Sequence, residues 1–225
     1  MVAAVLACVI SAVSLAASSP FALLARILAA GRAQHSVHYV STAQLGTTRV
    51  VQVGDVAATK GIQRITYTRA GTTGHVTVIV SAHGAYVRGD AFALVKYMGF
   101  NPAASAKYAN DWVLIPRSDR DYSNVAGDVT LPSAIDSLKG PGRPAAAPSA
   151  TIGGQRVVGV QWRALVGGKP VVVRLYARAS GTTLPVEQRA RRGREVLSVT
   201  FSRWNEAIRL RAPESAVPVA TTGLE

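Results

Sequence analysis

Two glycines, Gly167-Gly168, stand between two long runs of alternating polarity, residues 157–166 and 169–177. A glycine pair in that setting marks a two-residue hairpin turn, because such turns need positive φ to match the twist of the strands. Pairing Val166 with Lys169 puts Val158, Val160, Trp162, Ala164, Val171, Val173, Leu175 and Ala177 on one face. Every one of them is apolar. The other face takes Gln161, Arg163, Val172, Arg174 and Tyr176. A slip of one residue would turn the whole apolar set to water, so the register is strongly specified.

The same pattern recurs along the chain. His83-Gly84 between 75–82 and 85–89 reads as a hairpin turn, which pairs Val80 with Val87 and gives an apolar face of Val76, Val78, Val80, Ala82, Ala85 and Val87. A turn at Arg192-Gly193 places Leu184, Val186, Leu197, Val199 and Phe201 on one face, opposite Arg189, Arg191, Arg194, Ser198 and Thr200. Residues 37–45 and 49–53 flank a Gly46-Thr47-Thr48 turn, 54–61 read as a loop, and 62–69 alternate before a turn over 70–74. Residues 207–210 are read as one more strand.

Helical signals are fewer. Phe21, Leu24, Ile27 and Leu28 recur at helical spacing over 20–34, with Pro20 near the start and Gly31 near the end. Short helices are expected over 90–98, capped by Asp90, and over 102–109 and 131–138, with a strand over 111–116 around Trp112. Residues 140–149, rich in Pro, Gly and Ala, read as a loop within one domain, because similar hairpins lie on both sides.

Of the 225 residues 48% are hydrophobic, which excludes wholesale disorder and suffices for a core without disulfide staples. The lone cysteine is Cys8, so everything after it lacks a thiol. The formal net charge of +13 implies either a soluble arginine-rich surface or contact with an anionic partner. Nucleic acid is not the expected partner, since aromatics make up only 6% and do not accompany the basic clusters.

Residues 1–25 carry no charged side chain. Residues 2–17 have the composition of a signal-peptide apolar region, and Ser14-Leu15-Ala16 or Leu15-Ala16-Ala17 would precede a cleavage point. The basic segment that normally opens such a peptide is missing. A cleaved signal, an uncleaved anchor and a start displaced from the true one all remain open. Val5-Leu6-Ala7-Cys8 also has the shape of a lipobox, which makes Cys8 the candidate for lipidation, although apolar sequence rather than a polar tether follows it. The expected organisation is a signal peptide or anchor over 1–19, one domain over 20–213 and a C-terminal tail over 214–225.

An apolar sheet face running through several hairpins must be covered, and few helices are available. The expected fold is α+β: a large curved antiparallel sheet whose concave face is partly covered by a few helices. Such a face either packs tightly or holds an apolar ligand. The candidate lining residues are Val78, Val80, Val87, Val158, Val160, Trp162, Val173, Leu175, Val186 and Val199.

The order of Ser36-Val37-His38-Tyr39, Gly54-Asp55-Val56, 84–90, 111–116, Leu184-Pro185-Val186 and Val199-Thr200-Phe201-Ser202 resembles the actinobacterial LppX/LprG-type lipoproteins, which share the LolA-like fold. The resemblance covers about residues 20–213. It implies a half-barrel of antiparallel strands with helices closing its mouth around a hydrophobic cavity. Members of that group bind acylated lipids or carry lipoproteins through the envelope. The N-terminus departs from the family pattern of a clear lipobox and polar tether.

Chemistry-bearing motifs are sparse. His35 and His38 point to opposite faces of a strand and have no carboxylate next to them in sequence, so no metal site is expected. Asp119-Arg120-Asp121 reads as a solvated turn. No nucleophile elbow, phosphate loop or zinc motif is present, and no cofactor is implied. Arg189, Arg191, Arg192 and Arg194 at a hairpin tip are candidates for contact with lipid headgroups or a membrane surface. The expectation is a monomeric, non-enzymatic envelope protein, exported and either membrane-associated or secreted, that binds a lipid or acylated ligand. The alternative is a sensor or adaptor of the same fold that binds a protein partner.

Overall fold

The computed structural model describes residues 19–127, 129–166 and 168–222. The signal, anchor and lipidation readings at the N-terminus, Cys8 included, lie outside these residues.

Helix α1 (Pro20–Arg32) leads into two long hairpins, β1 (Ser36–Leu45) with β2 (Thr48–Ala57) and β3 (Gly61–Arg69) with β4 (Thr72–Ser81). Strand β5 (Gly84–Gly89) follows, then helices α2 (Ala91–Lys96) and α3 (Pro102–Lys107), strand β6 (Val113–Pro116), and helices α4 (Tyr122–Ala126) and α5 (Leu131–Asp136). Short strands β7 (Ala145–Ala146) and β8 (Ala150–Ile152) precede the long hairpin of β9 (Gln155–Val166) and β10 (Lys169–Arg178). Strands β11 (Pro185–Arg192), β12 (Glu195–Ser202) and β13 (Val217–Pro218) complete the chain, ahead of a single 3₁₀ turn over Val219–Thr221. Among the described residues all thirteen strands join one sheet, in the order β13-β6-β5-β4-β3-β2-β1-β12-β11-β10-β9-β7, with β8 also on β9. Every pairing is antiparallel except β13 on β6. This is the large curved antiparallel sheet with few helices that the hairpin pattern predicts.

The β9–β10 register has Val166 opposite Lys169 and Val160 opposite Leu175, as the glycine pair dictates. Two other turns sit one residue away from their expected places. Val80 pairs with Ala85 and Val78 with Val87, so the turn is Ala82-His83. Gly84 is needed in the strand, since a Cβ there would lie 2.4 Å from the Ile115 carbonyl oxygen of β6. Arg192 pairs with Glu195, so that turn is Gly193-Arg194. Gly193 takes φ 57°, a conformation glycine adopts at no steric cost, and an Arg192–Glu195 ion pair closes the ladder. Both shifts preserve parity, so the residues still sort onto the expected faces.

Other expectations are corrected. Strand β2 continues to Ala57 where a loop from 54 was expected. Gly54 belongs in the strand because the Tyr39 ring lies across it, and a Cβ there would sit 2.3 Å from Tyr39 Cε1. The turn expected over 70–74 is only Ala70-Gly71, both at positive φ, so β4 starts at Thr72. Residues 207–210 form no strand; they belong to a strap that leaves β12 and crosses the convex face, held where Ser36 Oγ donates to the Glu206 carbonyl. Residues 214–222, expected as a tail, include β13, and Val219 is buried at 3% exposure.

The concave face is apolar and divides into two clusters. Beneath α1 and α5 lie Val37, Tyr39, Val56, Val160, Trp162, Val173, Leu175 and Phe201. Beneath α2, α3 and α4 lie Ile65, Val76, Val78, Val80, Val87, Val113 and Ile115. Helices α1, α2 and α3 are capped by their own sequence: Ser19 accepts from the Ala22 N–H, Asp90 from the Ala93 N–H, and Asn101 from Ala103 and Ala104. No helix of the described residues is long and apolar enough to cross a membrane.

Candidate functional site

The ten residues expected to line a cavity fall into three groups. Val78, Val80 and Val87 are buried under α2–α4, while Val160, Trp162, Val173 and Leu175 are buried under α1 and α5. Val199 packs partly buried against the cluster under α1 and α5, and Val158 and Val186 are half-buried. One lateral row, Tyr39–Gly54–Gln63–Val78–Val87, runs from the first cluster to the second. Within it Gln63 Nε2 donates to the Tyr39 hydroxyl at 2.6 Å, both side chains being buried. That bond pairs the Gln63 amide with the Tyr39 hydroxyl where polar groups cross between two apolar clusters.

Trp162 also borders an open crevice of about 520 Å³. Pro141, Gly142, Arg143 and Ala145 wall it on one side, and Gln161, Arg163 and Val172 on the other. The loop is seated on the indole: a Cβ at Gly140 would lie 1.8 Å from Trp162 Cε2. Arg143 stands over the ring of Phe21, 5.7 Å from its centroid, which ties the loop to α1. The crevice therefore sets an edge of Trp162 beside the guanidinium groups of Arg143 and Arg163, with Gln161, Arg163 and Val172 projecting from the sheet face opposite the Trp162 side chain. An apolar chain with an anionic head matches that arrangement.

The hairpin-tip arginines cluster around a second concavity of about 710 Å³, where Arg189, Arg191 and Arg192 join Arg174, Glu187 and Val172. Arg189 reaches Glu187 at 3.5 Å and lies 5.2 Å over the Tyr176 ring. Arg191 donates to the Gly193 carbonyl at 3.3 Å. Arg194 is exposed at the turn itself.

Sequence reasoning missed one polar constellation. His38 Nδ1 lies 2.8 Å from Asp55 Oδ1, and Arg203 contacts both, at 3.4 Å from the carboxylate. His38 and Asp55 are direct cross-strand partners. A two-residue Gly46-Thr47 turn, rather than the three-residue turn expected, yields that pairing arithmetically. Arg203 was beyond reach because the strap brings it there. These side chains wall a concavity of about 320 Å³ between strap and sheet, with Ile62, Ile79 and Ile208. Among the described residues no group of three or more His, Cys, Asp or Glu side chains is placed to hold a metal ion.

Solved structures that share the fold include two mycobacterial proteins. One is LprF from Mycobacterium bovis, with TM-score 0.54, 15% identity, and 87% of this chain and 99% of that chain covered. The other is the Mycobacterium tuberculosis lipoprotein LppX, with TM-score 0.50, 18% identity, and 86% and 100% covered. The chain has the fold of LprF and LppX. The resemblance first carried by short sequence motifs therefore holds for the architecture, end to end across both neighbours. No protein-family model matches the sequence, and no curated protein matches it.

Proposed function

We propose that this chain is a non-enzymatic protein of the cell envelope that binds or carries a lipid or other acylated ligand, with the acyl chain entering between the sheet and α1/α5 through the Trp162 crevice. The observation that carries the reading is an open crevice, lined by Arg143 and Arg163, that borders Trp162, a residue of the larger apolar cluster. The two helices over that cluster are joined to each other by Arg32 on Asp136, and α5 is only six residues long, so the pair can part from the sheet without breaking its ladders. An acyl chain that loses roughly 300 Å² of apolar surface to such a site gains about 7 kcal/mol. Arg143 and Arg163 would take the charged head. The apolar N-terminus and the likeness to a lipoprotein support an envelope location.

Quenching of Trp162 by a phospholipid with brominated acyl chains tests this. In a W112F/W204F background Trp162 is the reporter, and saturable quenching is expected. No quenching at any lipid concentration contradicts the reading. A second reading, a sensor or adaptor that binds a protein, draws on the closeness of the packing: Val80, Val160 and Leu175 are fully buried without a ligand. Under that reading Trp162 stays unquenched and a specific envelope protein is captured instead.

A further inference from the structure

Four hairpin turns lie side by side at one end of the sheet. The strand order β4-β3-β2-β1-β12-β11-β10-β9 brings together the turns that join β3 to β4, β1 to β2, β11 to β12, and β9 to β10. Two properties coincide there. The first is charge. Over residues 43–50, 67–74, 164–171 and 190–197 the charged side chains are Arg49, Arg69, Lys169, Arg191, Arg192 and Arg194, against the single carboxylate of Glu195. Arg192 already pairs with that carboxylate. The second is exposed apolar surface. Of the four large hydrophobic side chains exposed among the described residues, three lie at this end, Leu45 at 40%, Leu165 at 73% and Val172 at 38%; the fourth, Phe21, is on α1. The opposite end is mixed in sign, with Asp55, Asp119 and Asp121 beside its bases.

We infer that this hairpin end docks on the surface of an anionic bilayer. The inference rests on the envelope reading above and names the surface that meets the membrane. Leu165 and Leu45 enter the headgroup region, where an apolar side chain leaves water. The guanidinium groups behind them bind phosphate oxygens through charge-assisted hydrogen bonds. Charge complementarity favours a bilayer over a protein here: the basic tip of Arg191, Arg192 and Arg194 is continued along the same end of the sheet by Arg49, Arg69 and Lys169 on the other three turns, and a lipid surface offers phosphates at any spacing.

The test is flotation of the full chain with vesicles of phosphatidylcholine, with and without phosphatidylglycerol. The apolar N-terminus contributes equally to both, so the readout is the preference for anionic vesicles. A preference of at least about tenfold, weakening with salt, is expected. R191E/R194E abolishes it. L165S lowers binding to anionic vesicles several-fold and keeps the salt dependence. K60E/R64E, the same charge change at the other end of the sheet, leaves the preference in place. Hydrogen exchange on the unmodified protein supplies a readout that needs no variant: the four turns become protected on anionic vesicles. Equal flotation on both vesicle types, a preference untouched by R191E/R194E, an equal loss in K60E/R64E, or unprotected turns each overturns the inference. Quenching of Trp162 by brominated lipid is measured separately, so docking and carriage fail independently.

Discussion

At the scale of single residues, three glycines differ in what surrounds them, and their substitutions should separate accordingly. A methyl group at Gly140 meets the Trp162 indole, and one at Gly54 meets the Tyr39 ring. Both rings are buried and cannot swing aside. Gly140→Ala and Gly54→Ala should each cost about 1–3 kcal/mol in urea unfolding. At Gly127 the nearest atom to an added Cβ is 3.4 Å away, so Gly127→Ala should stay within about 0.5 kcal/mol of the parent. Of these positions only the general role of Trp162 was legible in the sequence. Its place on the apolar face follows from strand parity, whereas the loop that sits on it is a non-local contact.

At the scale of elements, parity proved more legible than turn position. Alternation fixes which residues face the core, and it survived two turns displaced by a residue, because the β4–β5 and β11–β12 turns each moved both strands together. The exact turn depended on Gly84 meeting β6, a non-local contact, and on the Arg192–Glu195 pair, a local one that polarity alternation alone does not reveal. How the helices attach was equally hidden. Arg32 at the end of α1 grips Asp136 at the end of α5 with its Nε at 3.0 Å, and Lys139 adds a contact at 3.2 Å. The hydrogen bond from Arg32 is the chief reason that the Asp136 carboxyl is held below the usual carboxylate range. Its folded-state value is depressed, so the clamp is intact above the unfolded carboxylate range and is lost as pH falls through the lowered value. Asp136 is half exposed, so the effect is a fraction of a kcal/mol. Thermal melts of D136N should fall slightly below the parent at neutral pH and approach it at strongly acidic pH, below the lowered carboxylate value. A constant gap at both pH values would contradict the clamp.

At the scale of the whole molecule, the sheet, its curvature and its poverty of helix were readable, because a chain of apolar-faced hairpins has few other ways to bury one face. The strap over 203–216 was not. It carries no periodicity, and it makes sense only once its contacts are seen: Arg203 on Asp55 and His38, Ser36 on Glu206, and β13 on β6. Because Val219 beyond it is part of the second apolar cluster, Val219→Ala should lower stability by about 1–3 kcal/mol. A detached tail would leave stability unchanged. The division of the interior into two clusters was likewise hidden, since it depends on which helices fold over which strands. The larger of these clusters, reached through the Trp162 crevice, is where the account places an acyl chain. Mass spectrometry of organic extracts from protein purified from its native host measures this most directly. The account predicts an acylated molecule at near-stoichiometric yield, sharply reduced by Trp162→Arg. Extracts with no acylated species above those from the variant would contradict it.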